Sequence, residues 1–477
     1  MTNKIRTRIA PSPTSADKTL HLGNVRTALF AYLVAKKTGG DFILRIEDSD
    51  VARNVEGCAE GMLDDLRWLG ITPNEGFGTN NQPYGPYSQL ERLTRYREMV
   101  EHLMHKGLAY KCICSEELLN KQREAALAKD SKSPFRYPGT CRALNKDPDK
   151  DYVVRFKSST DGETIHDDLV FGRIVYPHKE NQDWVLLRNS GVPLYNFAVV
   201  ADDIDHRCNW VIRGRDHSGP NTLIQMLLYK AFDAPIPKFA HLPMMNNQSG
   251  AKLSKRDGAV SVKSCRALGY SPGSILNYLS KFGWGHGNKE LFSLKELVEL
   301  FDISNCGRND GRFDPVKFAT INYEHLKSTD LTSNEMYATF TIPFLEERGL
   351  NVHFEHLLSL IPIVRYKCKT FIEAANELDP MIRKEITIDA RAKELLTPEV
   401  KPKLQDYSTF LSSLNSWTED TLRSETQHWL TQSHLTMKDI GQPVRASVFG
   451  RTQSPEIFKV MAALGKDMTI HRLNAAI

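Results

Sequence analysis

The chain has 477 residues, of which 41% are hydrophobic and 25% charged, and its formal net charge is only +4. This composition is that of a globular protein of several domains, and so small a charge is by itself no argument for nucleic-acid binding. The eight cysteines do not suggest a disulfide framework in so long a chain, the N-terminus lacks the apolar run of a signal peptide, and no segment reaches the ~18 apolar residues of a membrane span. We therefore expect a cytoplasmic protein that does not enter a membrane.

The first part of the chain has the pattern of a β–α–β unit followed by two helices. The predicted elements are a strand at 5–9, a helix at 24–37, a strand at 42–46, and helices at about 57–69 and 88–106. Gly39 and Gly40 end the first helix. A right-handed crossover makes the two strands parallel.

The pattern changes over residues 111–190, which contain paired cysteines, a polar stretch at 120–133 and a β-like run at 152–156. We interpret this region as an insertion, because apolar strand and helix signals return over 194–212. An amphipathic helix is predicted at 221–233, and the chain after residue 330 is predicted to be helical.

Two short motifs contain residues that are suited to binding phosphate. His-Leu-Gly-Asn at 21–24 lies where the first helix begins, and free N–H groups and the helix dipole favour an anion there. Lys-Leu-Ser-Lys-Arg at 252–256 lies in a glycine-flanked loop, where its cations are suited to stabilising the charge of a reacting triphosphate. Either motif taken alone is more common as a capped turn or a solvated loop.

Together, the two motifs resemble the two signatures of class I aminoacyl-tRNA synthetases, in the same order and with an insertion between them. Arg-Ile-Ala-Pro-Ser-Pro-Thr at 8–14 and Leu-Arg-Ile-Glu-Asp-Ser-Asp at 44–50 resemble the glutamyl branch, and differ from the glutaminyl branch. Further runs resemble the same branch, the last two of them its bacterial-type C-terminal domain; they lie at 193–197, 211–214, 240–243, 441–445 and 452–455.

The resemblance implies an α/β fold: a Rossmann-type catalytic domain with an inserted domain that binds the acceptor end of tRNA, followed by an all-α anticodon-binding domain. The expected boundaries are 1–110 and 191–250 for the two halves of the catalytic domain, 111–190 for the insertion, 251–330 for a stem-contact region with the second motif, and 331–477 for the anticodon-binding domain. Aromatic and cationic side chains of the tail, such as Arg365 and Tyr366, suit either RNA contacts or a helix core.

The implied activity is that of a monomeric ligase. It activates L-glutamate with ATP and Mg²⁺ and esterifies it to tRNA(Glu), releasing AMP and diphosphate, and positioning and charge stabilisation carry the catalysis. Carried over to this chain, the residues expected to bind glutamate are Arg8, Ser12, Glu47, Tyr195 and Arg213. Those expected to bind ATP are His21, Gly23, Asn24, Asp216 and Lys255, and those expected to be catalytic are His21, Lys252 and Lys255.

The chemistry of glutamate explains these residue types. An arginine fork meets a carboxylate through two hydrogen bonds, so Arg8 and Arg213 suit the two carboxylates of the substrate. Which arginine takes the side-chain carboxylate stays open at this point. Glu47 suits the ammonium group.

A metal site is a separate hypothesis. Cys112, Cys114 and Cys141, with Tyr137 four residues before the last cysteine, have a spacing that suits three thiolates and one phenolate around zinc. The histidine that often follows in zinc-containing relatives is replaced by Ala143. Both possibilities stay open, a zinc site and three reduced thiols without a metal.

The sequence departs from the family pattern in two places. Residues 15–19 lengthen the loop before the first motif, and Arg215 stands where the family commonly has glutamate, with the options of pairing with Asp216 or reaching a phosphate. Three alternatives follow: an enzyme that charges tRNA(Gln) as well or instead, a tRNA-binding paralogue without catalysis, and the short paralogue that modifies a tRNA base. The helical tail argues against the last of these.

Overall fold

The computed structural model describes residues 4–129, 135–143, 148, 151–251, 253 and 260–477. These residues form two compact units. The first consists of Met1–Ser264 and Leu276–Asp314, and the second of Cys265–Ile275 and Pro315–Ile477.

The first unit begins with the predicted β–α–β arrangement. Its elements up to residue 105 are β1 (Arg6–Ile9), α1 (Leu22–Lys37), β2 (Asp41–Leu44), α2 (Cys58–Trp68), β3 (Glu75–Gly76) and α3 (Leu93–His105). Strand β1 pairs in parallel with β2, and β2 with β3, which confirms the predicted parallel pair. Gly39 has φ +64°, the left-handed conformation that ends α1 at little cost for glycine. Strand β2 ends two residues earlier than predicted.

The region of the predicted insertion is mainly antiparallel. It contains β4 (Ala109–Cys112), α4 (Glu116–Lys129), β5 (Val153–Phe156), β6 (Glu163–Asp168), β7 (Gly172–Pro177) and β8 (Val185–Leu187). One sheet has the order β4-β5-β8, and β6 and β7 form a hairpin. No element is predicted for the polar stretch, yet its residues 120–129 belong to α4. That helix has no strongly apolar face, which explains why periodicity does not indicate it.

The parallel arrangement then resumes, as predicted. The elements are α5 (Tyr195–Asp205), β9 (Trp210–Gly214), α6 (Pro220–Ala231), β10 (Lys238–Leu242) and β11 (Met245–Asn246). Strands β9 and β10 are parallel, and the backbone N–H of Asn209 donates to the carbonyl of Arg6, so that β9 runs beside β1. Two halves separated by the antiparallel region therefore share one core.

The remaining elements are helical apart from one short strand, in agreement with the prediction for the tail. They are α7 (Val262–Ala267), α8 (Pro272–Ser280), α9 (Leu294–Leu300), β12 (Gly311–Arg312), α10 (Pro315–Lys327), α11 (Asn334–Glu346), α12 (Phe354–Val364), α13 (Phe371–Ile382), α14 (Ala390–Lys393), α15 (Lys401–Ser412), α16 (Glu419–Gln432), α17 (Met437–Phe449), α18 (Ile457–Leu464) and α19 (Lys466–Ala476).

The second unit has an apolar core in which Tyr337, Leu357 and Leu404 are completely buried. Arg365 also belongs to its interior, because it is 1% exposed and donates to the carbonyl oxygens of Leu326 and Thr332. Arg365 is thus a structural residue of this core. Tyr366, by contrast, is 60% exposed. Among the described residues no helix is both long and apolar enough to cross a bilayer.

Candidate active site

The carboxyl ends of β1, β2 and β9 meet the N-terminus of α1 around a pocket of about 670 Å³. Parallel sheets commonly bind ligands at this position. Every residue predicted to bind glutamate or ATP that the structure describes lines the pocket: Arg8, Ser12, His21, Gly23, Asn24, Glu47, Tyr195, Arg213 and Asp216. Lys252 and Lys255 lie outside the described residues.

Arg8, at the end of β1, is already neutralised by a carboxylate of the protein. Its Nε and Nη2 atoms lie 3.2 and 3.3 Å from the two carboxylate oxygens of Asp203 in α5. Arg45 Nη1 donates to the same carboxylate at 2.5 Å. Burial disfavours the charge of Arg8, but Asp203 outweighs it and raises the pKa of Arg8. Within the described part of the chain, these contacts leave the two N–H groups of Nη1 and one N–H of Nη2 of Arg8 to meet a ligand.

The neighbouring carboxylate, Asp202, holds a second set of partners behind the pocket. Arg92 Nε, the hydroxyl of Tyr96 and the amide of Gln89 donate to it at 2.8, 2.7 and 2.9 Å. Asp202 and Arg45 are both 0% exposed. Buried charges of this kind are tolerated when they are paired and hydrogen-bonded, so this network fixes the floor of the pocket.

Arg213, at the end of β9, differs from Arg8 because its partners are neutral. Its Nε donates to His241 Nε2 at 3.1 Å, Nη1 to Gln225 Oε1 at 2.7 Å, and Nη2 to Thr222 Oγ1 at 2.8 Å. Among the described residues no carboxylate lies within ion-pair distance of it. Burial, helped by the like charge of Arg8, lowers the pKa of Arg213 from its ordinary value of 12.5. The side chain is 4% exposed and lines the pocket, so it presents an uncompensated positive charge to a ligand.

Glu47 and Tyr195 complete this end of the pocket. Arg45 Nη2 donates to Glu47 Oε1 at 3.4 Å. Burial raises the pKa of Glu47 against the opposing effect of Arg45 and Arg8, so a cationic group of a ligand would stabilise its ionised form. The hydroxyl of Tyr195 lies 3.1 Å from His217 Nδ1. Burial and the charge of Arg213 lower the pKa of His217 to about 4, which keeps this imidazole neutral at pH 7.

The other end of the pocket is the N-terminus of α1. His21 caps this helix, and its Nδ1 accepts from the N–H of Gly23 at 3.2 Å. Because Nδ1 is an acceptor in a neutral imidazole, Nε2 carries the proton and is a donor. The first turn of α1 has no acidic residue. The helix dipole and this donor therefore suit a phosphate group, as predicted from the first motif.

Described residues within and after the second motif lie beside the pocket or the first motif. The side chain of Leu253 lines it, and the N–H of Leu253 donates to the carbonyl of Met245. On the far side, Leu22 N–H donates to Val260 O at 2.9 Å, and Ser261 forms an isolated β-bridge with His21. Leu253 thus lies at the pocket wall, and Val260 and Ser261 lie beside the first motif.

The two departures from the family pattern leave the pocket largely untouched. The loop at 15–19 is anchored to α2, because Thr19 Oγ1 and the N–H of Leu20 donate to Asp65 Oδ2 at 2.6 and 2.7 Å. Among the described residues, Arg215 does not form the ion pair with Asp216 that was one of its two predicted options. It lies 3.7 Å from Asp310 and above the ring of Phe171, and it is not among the residues that line the pocket. A partner so distant along the chain cannot be inferred from the local sequence.

The predicted metal ligands also come together. The Sγ atoms of Cys112, Cys114 and Cys141 all lie within 4.8 Å of one another, and the hydroxyl of Tyr137 lies 3.3 Å from Cys112 Sγ and 3.7 Å from Cys114 Sγ. Arg155 stacks on the Tyr137 ring at 3.8 Å. Burial is the largest influence on Cys112, but hydrogen bonds from Tyr137 and the charge of Arg155 lower the pKa of this thiol overall. This donor set is suited to a tetrahedral thiophilic cation.

Several pocket residues are not predicted from the sequence. Arg26 lines the pocket from within α1, where burial lowers its pKa to about 10 and two of its nitrogen atoms lack partners in the described structure. His217 also lines the pocket, whereas Arg45 and Asp203 are not among its lining residues and act through the contacts described above. The available signal is a charged residue in an apolar run: Arg26 in α1, and Asp203 in α5.

The fold and the pocket are those of a class I tRNA synthetase. The family model described as "tRNA synthetases class I (E and Q), catalytic domain" matches residues 4–317, and the model "Anticodon binding domain" matches residues 335–477.

Curated proteins named "Glutamate--tRNA ligase" are similar over the full length. The protein from Anaeromyxobacter sp. (strain K) is 41% identical over 100% of this chain and 98% of its own length, and that from Geobacter sulfurreducens is 40% identical over 99% and 98%. A crystal structure of a glutamate tRNA ligase from Elizabethkingia meningosepticum in complex with its amino acid matches with a TM-score of 0.83, 31% identity and 99% coverage of both chains. The chain belongs to the glutamate-tRNA ligase family of class I synthetases.

Proposed function

We propose that this protein activates L-glutamate with ATP and transfers the glutamyl group to the 3′ end of tRNA(Glu). The observation that carries the proposal is that one pocket is lined by Arg213, an uncompensated cation, by the carboxylate of Glu47 and by the N-terminus of α1. Glutamate has the complementary charges, two carboxylates and one ammonium group.

The proposed glutamate contacts rest on the N–H groups of Arg213 that the described residues leave unused. A guanidinium has five N–H groups. Protein partners take one each on Nε, Nη1 and Nη2 of Arg213, which leaves the outer N–H of each Nη atom for a carboxylate. We assign the side-chain carboxylate of glutamate to Arg213 and Tyr195, the ammonium group to Glu47, and supporting contacts to Arg8 and Ser12.

The proposed ATP contacts rest on the N-terminus of α1. In this proposal the phosphates of ATP lie against His21 Nε2, Gly23 and Asn24, and its ribose lies near Asp216. The reaction needs no proton transfer in its first step, because the α-carboxylate attacks the α-phosphate in line and pyrophosphate leaves. Positioning and charge stabilisation are then the main contributions of the protein. Mg²⁺ would accompany ATP, since it is usually coordinated by the phosphates of the substrate. Lys252 and Lys255 are proposed to stabilise the departing pyrophosphate.

Zinc is proposed for the cluster of Cys112, Cys114, Tyr137 and Cys141. The four donors converge although the chain between them contains a whole helix, α4. Bound zinc would join β4 to the turn that contains Cys141, and would stabilise this part of the proposed acceptor-binding insertion. Elemental analysis of the zinc content distinguishes this site from the alternative, three reduced thiols without a metal.

The proposal is tested by ATP–pyrophosphate exchange and by charging of purified tRNAs. Exchange that depends on glutamate, with glutamine and aspartate as poor substrates, is the expected result, and tRNA(Glu) should accept the labelled amino acid. Charging of tRNA(Gln) with glutamate would show that the second tRNA is also a substrate. No exchange with any amino acid and any tRNA would refute the proposal and favour a tRNA-binding paralogue without catalysis.

A further inference from the structure

A line of four buried polar side chains runs from the pocket into the protein. Arg213 Nε donates to His241 Nε2 at 3.1 Å, His241 Nδ1 lies 2.6 Å from Asp168 Oδ2, and His166 Nε2 lies 3.4 Å from the same oxygen. Asp168 and His166 come from β6, His241 from β10 and Arg213 from β9. All four are at most 6% exposed. Of these residues only Arg213 is explained by the proposed function.

A metal ion is not the explanation, although two histidines and a carboxylate are suitable ligand types. The Nε2 atom of His241 already receives a hydrogen bond from a guanidinium, whose positive charge opposes a cation at that nitrogen. Asp168 Oδ1 accepts from the backbone N–H groups of Val170 and Phe171, both at 2.9 Å. The lone pairs that a metal would need are therefore used within the protein.

The hydrogen bonds determine which nitrogen of His241 carries the proton. A carboxylate can only accept, so Nδ1 of His241 must be the donor to Asp168. The neutral imidazole then has its lone pair at Nε2, where it accepts from Arg213. Burial, the largest influence, lowers the pKa of His241, and the charge of Arg213 acts in the same direction, against the effect of the hydrogen bond that His241 donates to Asp168. His241 is thus neutral at pH 7 and has one definite tautomer.

We propose that Asp168 and His241 are positioning residues for substrate specificity: they hold the guanidinium of Arg213 by a neutral acceptor in one orientation, with its full charge available for the side-chain carboxylate of glutamate. The inference rests on the proposed function, because it assigns a carboxylate ligand to Arg213. Asp203 pairs with Arg8 directly and offsets its charge, whereas Asp168 acts on Arg213 through an uncharged ring. A direct carboxylate partner would have made Arg213 a weaker recognition element for an acidic side chain.

The substitution Asp168→Asn tests the tautomer itself. The N–H groups of Val170 and Phe171 hold the amide oxygen at the Oδ1 position, so the amide nitrogen must face His241 Nδ1. His241 then becomes the acceptor at Nδ1 and carries its proton at Nε2, where it meets the N–H of Arg213. We expect the KM for glutamate to rise roughly tenfold to a hundredfold, as for the loss of a hydrogen bond to a charged group, with the KM for ATP within about twofold.

A second substitution separates positioning from structural support. In the Asp168→Asn background, His241→Gln places an amide oxygen where Arg213 needs an acceptor, and it should lower the KM for glutamate again. As a second pair with Asp168 intact, His241→Met removes the acceptor and should raise the KM for glutamate more than His241→Gln does. The matched control is Thr164→Val, at a residue of β6, the strand that also contains Asp168. It removes another buried hydrogen bond to a histidine, from Thr164 Oγ1 to His178 Nε2 at 2.7 Å.

These experiments distinguish a failure of the positioning role of Asp168 and His241 from a failure of the proposed function. If wild-type protein shows no glutamate-dependent exchange, the proposed function fails. The tautomer of His241 is then still measurable by nitrogen NMR of isotope-labelled histidine, with His241→Gln assigning the signal. Protonation of Nδ1 in the wild type and of Nε2 in Asp168→Asn supports the positioning role. An unchanged tautomer, a KM for glutamate equal to that of the Thr164→Val control, or a rise that His241→Gln does not reverse would overturn it.

Discussion

Replacing Arg213 with glutamine should remove most of the selection for glutamate over glutamine. In the structure two N–H groups of Arg213 are left for a ligand, one on each Nη atom, which is the geometry of a bidentate contact with a carboxylate. Each hydrogen bond to a charged group contributes about 1.5–3 kcal/mol. Two of them correspond to about 3–6 kcal/mol, or roughly a hundredfold to ten-thousandfold in kcat/KM for glutamate.

The assay is ATP–pyrophosphate exchange with tRNA present, measured separately with glutamate and with glutamine. In Arg213→Gln the value for glutamate should collapse while that for glutamine changes little, so the ratio of the two falls. Arg215→Gln is the control, because that arginine lies two positions further on and contacts Asp310 outside the pocket. Thermal unfolding of both variants separates a loss of binding from a loss of folding. If Arg213→Gln keeps the wild-type preference for glutamate, our interpretation of the pocket is wrong.

Four further predictions concern charge, metal and stability. Lys255→Ala should lower pyrophosphate exchange far more than tRNA binding by filter assay, and equal losses would remove its proposed role in the transition state. Protein purified without metal affinity should contain one zinc per chain, absent in Cys141→Ser. Arg45→Met should lower the free energy of unfolding by about 1.5–3 kcal/mol in denaturant titrations, because it leaves the buried carboxylates of Asp202 and Asp203 with one arginine partner each instead of two. The pKa of Asp203 is lowered to about 2, since Arg8 and Arg45 outweigh its burial; its contribution to stability is therefore present above its ordinary pKa and lost as the pH falls towards 2, a dependence that Asp203→Asn should flatten.

The sequence was sufficient for the architecture wherever local pattern determines it. Apolar periodicity predicts α1 and α6, and the order strand, helix, strand predicts the parallel pairing of β1 with β2. The polar helix α4 is missed because it has no apolar face, and none of its residues with a described burial is buried. Boundaries differ by about two residues where capping and a β-bridge decide the end of an element, as at Ile46, which pairs with Ser88 after β2 has ended.

The site is predictable as a set of residues but not as a set of charges. Resemblance to a family places Arg8 and Arg213 together, and both line the pocket. Their difference depends on partners far along the chain: Asp203 is 195 positions from Arg8, and His241 is 28 positions from Arg213. Neither distance is encoded in a motif. Asp168 illustrates the same limit, because it lies in the antiparallel region and reaches Arg213 only through His241.

The unequal treatment of the two arginines has an energetic reason. A buried cation without a counter-ion is costly, and two such cations in one empty pocket would also repel each other. Pairing Arg8 with Asp203 removes most of this cost and leaves Arg213 as the excess charge of the two, where neutral acceptors satisfy its hydrogen bonds without offsetting its charge. Glutamate restores the balance when it binds, whereas glutamine has the same size but leaves the excess charge in place. The difference in binding free energy between glutamate and glutamine therefore depends mainly on how little of the charge of Arg213 is offset by other groups of the protein.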